Sequence, residues 1–177
     1  AAEERTVDAF HRGEFWVAQP SGKGHRSGTD AMMLAAAVPG SFAGRLADLG
    51  AGAGAAGLAV ASRCPQARVV LVERSREMAC FARESIALPQ NAHIAERATV
   101  LEADVSLSGK ARVAAGLDDA AFDFAIMNPP FNLGHDRATP DALKRQAHVM
   151  EEGLLGAWIR SAAGIVKPHG GMAIIAR

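Results

Sequence analysis

The sequence has few of the features that mark specialised protein classes. Its 177 residues include no tyrosine and only two cysteines, Cys64 and Cys80, which have no metal-ligand spacing. Two distant cysteines exclude a disulfide-rich scaffold and predict reduced thiols in a cytoplasmic protein. Apolar runs are short and broken by glycine, proline or charge, so no membrane span is expected. The six histidines also lack ligand-like spacing, and no metal site is predicted.

An excess of positive charge is also missing. Lysine plus arginine number 19 and aspartate plus glutamate number 19, so the formal net charge is zero. A dedicated nucleic-acid binder usually shows a basic footprint, because phosphate contacts dominate its affinity. Only small basic groups occur, around residues 23–26 and 137–145. Binding to a nucleic acid must therefore be argued from a site and not from overall charge.

The sequence does contain a regular alternation of apolar strands and helices. Strand patterns cover residues 45–49, 68–72, 98–103, 122–127 and 172–176. Helical patterns lie between them, at residues 55–63, 75–88, 107–117 and 149–166. Strands that alternate with helices form parallel βαβ units, so we predict a doubly wound α/β fold with a mostly parallel sheet. Ligands of such sheets bind beyond the carboxyl ends of the strands.

The first part of the chain does not follow this alternation. Residues 1–13 are polar and are expected to fray, whereas residues 14–19 are predicted to form a hairpin with a return strand near residues 25–26. A short helix then precedes the first core strand. We therefore divide the chain into an N-terminal hairpin and helix, residues 1–40, and a single core domain, residues 41–177.

A glycine-rich loop follows the first core strand. Asp48, Gly50, Gly52 and Gly54 fit the pattern D-x-G-x-G-x-G, and residues 52–57 also fit the dinucleotide pattern G-x-G-x-x-G. A pyrophosphate needs bare N–H groups at a helix N-terminus, whereas S-adenosylmethionine carries an ammonium and a sulfonium that suit an acid such as Asp48. The loop therefore favours S-adenosylmethionine over NAD. A plain strand-to-helix turn is the structural alternative.

Two acidic residues close the next two core strands. Glu73 stands where a carboxylate can accept hydrogen bonds from both hydroxyls of a ribose, and Asp104 stands where one can accept from an adenine amino group. The carboxyl ends of parallel strands meet at one edge, so both acids are predicted to share a crevice with the loop. Each of them alone could equally be a surface acid.

The fourth core strand ends in Asn128-Pro129-Pro130-Phe131. Each proline removes a ladder donor and fixes the backbone, so the pair suits a rigid turn at the end of a strand. Such a turn would hold an amide acceptor beside a flat apolar ring, which suits a planar substrate with an amino group. The alternative is a turn that merely leaves the sheet.

Together, the loop and this turn resemble the amino-directed methyltransferases with an [N/D]-P-P-[Y/F] motif, and the resemblance implies a Rossmann-like methyltransferase fold. The resemblance implies that the Asn128 side-chain oxygen and the Pro129 carbonyl accept hydrogen bonds from the target amino group, while Phe131 stacks on the ring that carries it. An exocyclic nitrogen is a poor nucleophile, and two acceptors would stabilise the positive charge that develops on it. Asn128, Pro129, Pro130 and Phe131 are thus the predicted catalytic residues.

Flanking segments resemble a narrower group, the bacterial tRNA adenosine-37 N6-methyltransferases. This resemblance is carried by residues 26–34, residues 137–141, residues 147–148 and a helix with Trp158. It implies N6 methylation of an adenine in RNA, with tRNA as the partner, and it makes Thr29 and Asp30 further cofactor contacts, although Thr29 could simply cap a helix. The family's sheet continues past the fifth strand, so this chain is expected to be truncated there.

Several alternatives stay open from the sequence. The same chemistry could act on the N2 amino group of guanine in rRNA or on a protein glutamine amide, although the glutamine enzymes usually carry tyrosine at the aromatic position. From other classes, the glycine pattern allows an NAD-dependent oxidoreductase, and the fold allows a non-catalytic binding module. The sequence predicts no particular oligomeric state.

Overall fold

A computed structural model of the chain describes residues 5–21, 27–130 and 141–175, the side chains of residues 141–152 excepted. In chain order its main elements are β1 (Arg5–Phe10), β2 (Phe15–Pro20), α1 (Thr29–Ala36), β3 (Gly44–Leu49), α2 (Ala55–Arg63), β4 (Ala67–Glu73), α3 (Arg76–Ala87), α4 (Ala92–Ala95), β5 (Ala98–Glu102), α5 (Gly109–Ala114), β6 (Phe122–Met127), α6 (Asp141–Ile165) and β7 (Val166–Ile174).

Five strands form the central sheet in the order β5-β4-β3-β6-β7, and every neighbouring pair is parallel. The predicted doubly wound α/β fold is therefore confirmed. From β3 the chain adds β4 and β5 on one side, and it then adds β6 and β7 on the other. The order of strands reverses between β3 and β6, and a doubly wound sheet opens its ligand crevice at such a point.

The two faces of the sheet bury separate apolar clusters, because successive strand side chains point to opposite sides. One cluster contains Leu46 and Leu58, from β3 and α2. The other contains Leu49, Met127 and Trp158, from β3, β6 and α6. The helices that follow β3 and β6 therefore cover opposite faces, and the crevice between these strands stays open at their carboxyl ends.

The N-terminal hairpin differs from the predicted one. β2 pairs antiparallel with β1, which precedes it, and Phe10 lies opposite Phe15. The expectation that residues 1–13 fray is therefore wrong for β1, and the predicted return strand at residues 25–26 lies outside the described residues. β1 was not predicted because only Val7 and Phe10 of its six residues pack against the core.

Buried polar side chains attach this hairpin to the core. The Ser85 hydroxyl accepts the Ala18 N–H at 2.9 Å. The Asn91 amide accepts the Trp16 N–H at 2.9 Å and donates to the Trp16 carbonyl at 2.7 Å. Ser85 and Asn91 are fully buried, and buried polar groups are costly when unpaired. These bonds therefore fix the hairpin against the end of α3.

The last helix and strand have other bounds than predicted. The helix expected at 149–166 spans Asp141–Ile165, and the strand expected at 172–176 begins already at Val166. Its pairing with β6 shifts register between Phe122 and Phe124, so residues 167–170 bulge opposite a single residue. This segment contains Pro168 and Gly170; it lies just after the end of α6 and interrupts the ladder between β6 and β7. In the part of the chain that the structure describes, no helix is long and apolar enough to cross a membrane.

Candidate functional site

The ends of three strands bring the predicted site residues to one level. Leu49 of β3 pairs with Met127 of β6, so the residues that follow them, Gly50 and Asn128, leave the sheet side by side. Glu73, the last residue of β4, lies level with Gly50 on the opposite side of β3. The glycine loop thus begins between the acid and the amide, at the point where the strand order reverses.

The loop glycines have backbone conformations that favour glycine. The φ angle is +73° at Gly50, +56° at Gly52 and +95° at Gly54, in the left-handed region that other residues rarely occupy. The N–H groups of Gly50 and Ala51 both donate to the Val72 carbonyl, at 2.8 and 2.9 Å. The three glycines thus form a tight turn from β3 into α2, with bare backbone at the edge of the sheet.

A fourth glycine marks the closest approach of α2 to the sheet. A Cβ at Gly57 would lie 2.3 Å from Leu71 Cδ2 and 3.0 Å from Asp48 Oδ2. The Gly57 N–H donates to this same carboxylate oxygen at 2.8 Å. In the sequence, Gly57 was only the last position of a dinucleotide pattern, whereas in the structure it allows α2 to pack closely on the sheet.

Asp48 lies buried beneath the loop and is only 3% exposed. Burial raises the pKa of this carboxyl to about 7; the Gly57 N–H opposes the rise, and the nearby Glu73 carboxylate adds to it. A large share of Asp48 is therefore protonated near neutral pH. Since Oδ2 already binds Gly57, the predicted contact with a cofactor ammonium falls to Oδ1 and stays a prediction.

Glu73 ties the glycine loop to α3. Its Oε2 accepts the Gly52 N–H at 2.9 Å, and its Oε1 accepts the Ser75 N–H at 2.8 Å. The Ser75 hydroxyl caps α3 by accepting the Met78 N–H at 3.3 Å. A carboxylate has about four acceptor positions, so these two bonds leave room for ribose hydroxyls. The bond to Gly52 was not visible in the sequence, and the ribose contact stays a prediction.

Asp104 lies two residues past β5 in a tight turn. Its Oδ1 accepts both the hydroxyl and the N–H of Ser106, at 2.7 and 2.8 Å. The hydroxyl bond is the main reason that the pKa of Asp104 lies below its usual value; partial burial opposes it, while the Ser106 N–H and the positive Arg74 support it. Asp104 is therefore ionised at neutral pH, and its predicted contact with an adenine amino group stays untested.

The turn after β6 exposes its amide. Asn128 and Pro130 are exposed, whereas Pro129 between them is buried. The Ile175 N–H donates to the Met127 carbonyl at 3.1 Å, so the sheet's hydrogen bonding reaches the residue before Asn128. A paired strand end and a buried proline thus hold an accessible amide. Phe131, the predicted stacking residue, lies outside the described residues.

Thr29 and Asp30 are the first residues of α1. The proposed alternative that Thr29 caps this helix is wrong, because Gly28, which has no side chain, takes the N-cap position. Thr29 is exposed and Asp30 is half-buried. Their predicted contact with a cofactor stays a prediction.

Trp158 is a residue at this site that the sequence did not reveal. It belongs to α6 and is 8% exposed. A Cβ at Gly50 would lie 2.4 Å from Cη2 of its indole, so the ring rests directly on the first loop glycine. Only the tertiary fold brings positions so distant in the sequence together. Among the described residues, no group of three His, Cys, Asp or Glu side chains could hold a metal ion.

Comparisons with known proteins agree with this geometry. The family model described as "Methyltransferase small domain" matches residues 24–177. A curated relative from Tolumonas auensis, named tRNA1(Val) (adenine(37)-N6)-methyltransferase, is 29% identical over 150 residues, which are 84% of this chain and 57% of the relative. The chain thus spans little more than half the length of this relative.

Solved structures share the fold. A predicted O-methyltransferase, protein Atu636 from Agrobacterium tumefaciens, is 48% identical with a TM-score of 0.68, over 83% of this chain and 61% of that one. P. horikoshii TYW2, solved in complex with MeSAdo, is 16% identical with a TM-score of 0.60, over 94% of this chain and 50% of that one. The second likeness shows the fold alone. The predicted Rossmann-like methyltransferase fold is confirmed.

Proposed function

The chain belongs to the methyltransferase small domain family, and we propose that it transfers a methyl group from S-adenosylmethionine to the N6 amino group of an adenine in a tRNA. The register of β3 and β6 carries this proposal, because it sets Asn128 beside the start of the glycine loop. The name of the Tolumonas auensis relative gives the same reaction.

The loop fits S-adenosylmethionine better than a dinucleotide. A pyrophosphate would need free N–H groups, but the Gly52 N–H already donates to Glu73, and Asp48 adds a second carboxylate beneath the loop. The Gly52 N–H is thus not free for a phosphate, and the remaining acceptor positions of the two acids suit an ammonium or a hydroxyl. When bound, S-adenosylmethionine supplies an activated methyl group. Asp48, Glu73 and Asp104 would hold its ammonium, ribose and adenine.

The turn after β6 offers hydrogen-bond acceptors for the amino group that receives the methyl group. We assign the Asn128 side-chain oxygen and the Pro129 carbonyl as acceptors for the two amino hydrogens, with Phe131 stacked on the base. Nitrogen becomes positively charged as it gains the methyl carbon, and preorganised acceptors stabilise that charge. The nitrogen–methyl bond would form as the sulfur–methyl bond breaks, which leaves S-adenosylhomocysteine, and the nitrogen would then release one proton to water to give a methylamino group. A base in a tRNA loop can splay out far enough to reach such a turn.

Transfer to oxygen is the second candidate, because the Agrobacterium tumefaciens protein, 48% identical, is described as a predicted O-methyltransferase. A hydroxyl acceptor must lose its proton during attack, which calls for a general base within hydrogen-bonding reach. The described residues that directly follow β6 are an amide and two prolines. None of these takes up a proton at neutral pH, so this strand end favours an amino acceptor.

Nucleoside analysis separates these candidates. The protein is incubated with an unmodified tRNA transcript and methyl-labelled S-adenosylmethionine, and the RNA is digested for mass spectrometry. Labelled N6-methyladenosine is the expected product. A 2′-O-methyl nucleoside would support the second candidate, and label in guanine N2 or in added protein would support the remaining amino acceptors. Binding of S-adenosylhomocysteine without any labelled N6-methyladenosine would overturn the proposal.

A further inference from the structure

We infer that Trp158 is a positioning residue for methyl transfer, which fixes the start of the glycine loop relative to Asn128. The inference rests on the proposed function and adds to it a side chain from α6. Trp158 would touch neither the methyl donor nor the RNA, and it would act through the backbone of Gly50.

The contact itself is unusually close. A Cβ built on Gly50 would lie 2.4 Å from Cη2 and 2.8 Å from Cζ3 of the indole. No side chain can occupy that space, so the edge of the ring packs on the main chain of Gly50. The N–H of Gly50 is bound to the Val72 carbonyl at 2.8 Å. Gly50 is therefore held by a hydrogen bond from β4 and by the ring from α6.

The indole of Trp158 also packs beneath both strand ends of the candidate site, those of β3 and β6. Trp158 belongs to the same buried cluster as Leu49 and Met127. These are the paired residues that directly precede Gly50 and Asn128. The cluster thus underlies both strand ends, one of which leads to the glycine loop and the other to the amide.

The rate of methyl transfer depends on the relative position of the glycine loop and Asn128 more strongly than substrate binding does. Nitrogen, methyl carbon and sulfur must lie nearly in line, and a misplacement of about 1 Å can cost roughly 100-fold in rate. A shift of Gly50 changes the distance between the loop that is proposed to hold the donor and Asn128, while the side chains proposed to bind RNA are all retained. Loss of the ring should therefore lower kcat without a matching change in the KM for tRNA.

Kinetics of three variants test the inference. We expect kcat to fall about tenfold in Trp158→Phe and roughly 100-fold in Trp158→Leu, with the KM for tRNA within about twofold of wild type. Ile165→Ala is the matched control, because Ile165 is fully buried in the same cluster on the same helix, about two turns further on. Measured below its unfolding transition, it should keep kcat within about twofold. Wild-type kcat in Trp158→Leu, or an equal loss in Ile165→Ala, would overturn the inference.

Fluorescence gives a test that does not depend on the substrate. The chain has two tryptophans, so Trp16→Phe leaves only Trp158 as an emitter. Its emission should shift on titration with S-adenosylhomocysteine, and the emission of Trp16 in Trp158→Phe should not. If calorimetry shows binding but Trp158 emission stays constant, the inference fails. If the shift occurs while no N6-methyladenosine forms, the positioning role stands and the proposed substrate fails.

Discussion

The two strand ends that make up the site are built in different ways. After β3, the loop is partly buried and held by hydrogen bonds, since Asp48 accepts the Gly57 N–H and Glu73 accepts the Gly52 N–H. After β6, a single exposed amide, Asn128, stands on a turn anchored by a buried proline. The first half of the candidate site, the glycine loop after β3, depends on backbone conformation. The second half, the turn after β6, depends on the Asn128 side chain. Substitutions in the first half should therefore alter stability and cofactor affinity, and those in the second should alter turnover.

Asp48→Asn should produce the largest effect, on stability. The unfolded chain ionises Asp48 near its ordinary pKa of 3.8, and burial raises the pKa in the folded chain to about 7. The stability that protonated Asp48 contributes is therefore complete below about pH 4 and is lost as the pH rises through about 7. A neutral asparagine avoids this loss. Above pH 7 the variant should be more stable than wild type by up to about 4 kcal/mol, because each unit by which folding raises the pKa of Asp48 is worth about 1.4 kcal/mol.

Urea unfolding at several values between pH 5 and pH 8 measures this difference. The advantage of Asp48→Asn should grow up to about pH 7 and then level off, while its affinity for S-adenosylhomocysteine should fall at pH 8. Asp104→Asn is the matched control, because the pKa of Asp104 is lowered, chiefly by the Ser106 hydroxyl. Relative to wild type, Asp104→Asn should gain no stability as the pH rises from 5 to 8. A pH-independent difference for Asp48→Asn would show that its charge is not the destabilising feature.

Asn128→Ala should produce the next largest effect, and on turnover alone. Removal of one preorganised group from a charge-stabilising site typically costs about 100- to 1000-fold in kcat. Because Asn128 is exposed and lies outside the glycine loop, the Kd for S-adenosylhomocysteine should stay within about twofold. Single-turnover kinetics and calorimetry measure the two quantities.

Asn128→Asp is the control for this substitution, since it keeps an acceptor oxygen at the same position. It should retain more activity than Asn128→Ala. A fully active Asn128→Ala would show that the amide has no part in the reaction, and the contrast between the two strand ends would then lose its functional meaning.

Gly57→Ala tests the packing of the first half. Its Cβ would lie 2.3 Å from Leu71 Cδ2 and 2.9 Å from Val69 Cγ1, and overpacking of this kind costs about 1–3 kcal/mol. Gly153→Ala is the matched control, because a Cβ there meets nothing within 4 Å and alanine in a helix is favoured over glycine by up to about 1 kcal/mol. Thermal unfolding should show opposite shifts, and equal shifts would contradict the close approach of α2.

The same contrast explains what the sequence could predict. Gly50, Gly52 and Gly54 are needed for local backbone conformation, so their spacing was enough to place the turn. Glu73 was also predictable, because a residue at the end of a parallel strand must lie at the carboxyl edge. The hydrogen bond from the Gly52 N–H to Glu73 was not predictable, since it depends on the path of the loop in space and not on the spacing of residues. The position of the site thus follows from local patterns and topology.

Contacts between residues that are distant in the sequence could not be predicted. The contact between Trp158 and Gly50 joins α6 to β3, and no local pattern encodes it. The pairing of the hairpin was predicted wrongly for a related reason, because only Val7 and Phe10 of the strand that pairs with β2 pack against the core. The bulge at residues 167–170 depends on the register of β6, which a glycine and proline cluster does not reveal.

Ser75→Ala should produce the smallest effect and shows how far the first half extends. The Ser75 hydroxyl caps α3 through the Met78 N–H, and loss of such a cap costs about 1 kcal/mol. Ser108 takes the same N-cap position in α5 without a side-chain cap bond, so Ser108→Ala should change stability by less than about 0.5 kcal/mol. Thermal unfolding of the two variants gives the comparison.

The affinity for S-adenosylhomocysteine then shows whether the cap of α3 contributes to cofactor binding. In Ser75→Ala the backbone N–H still donates to Glu73 Oε1, so Glu73 should keep its hold on Gly52. The Kd for S-adenosylhomocysteine should therefore stay at the wild-type value although the helix is weakened. If the affinity falls together with the stability, α3 belongs to the cofactor-binding half, and that half depends on helix capping as well as on the backbone of the loop.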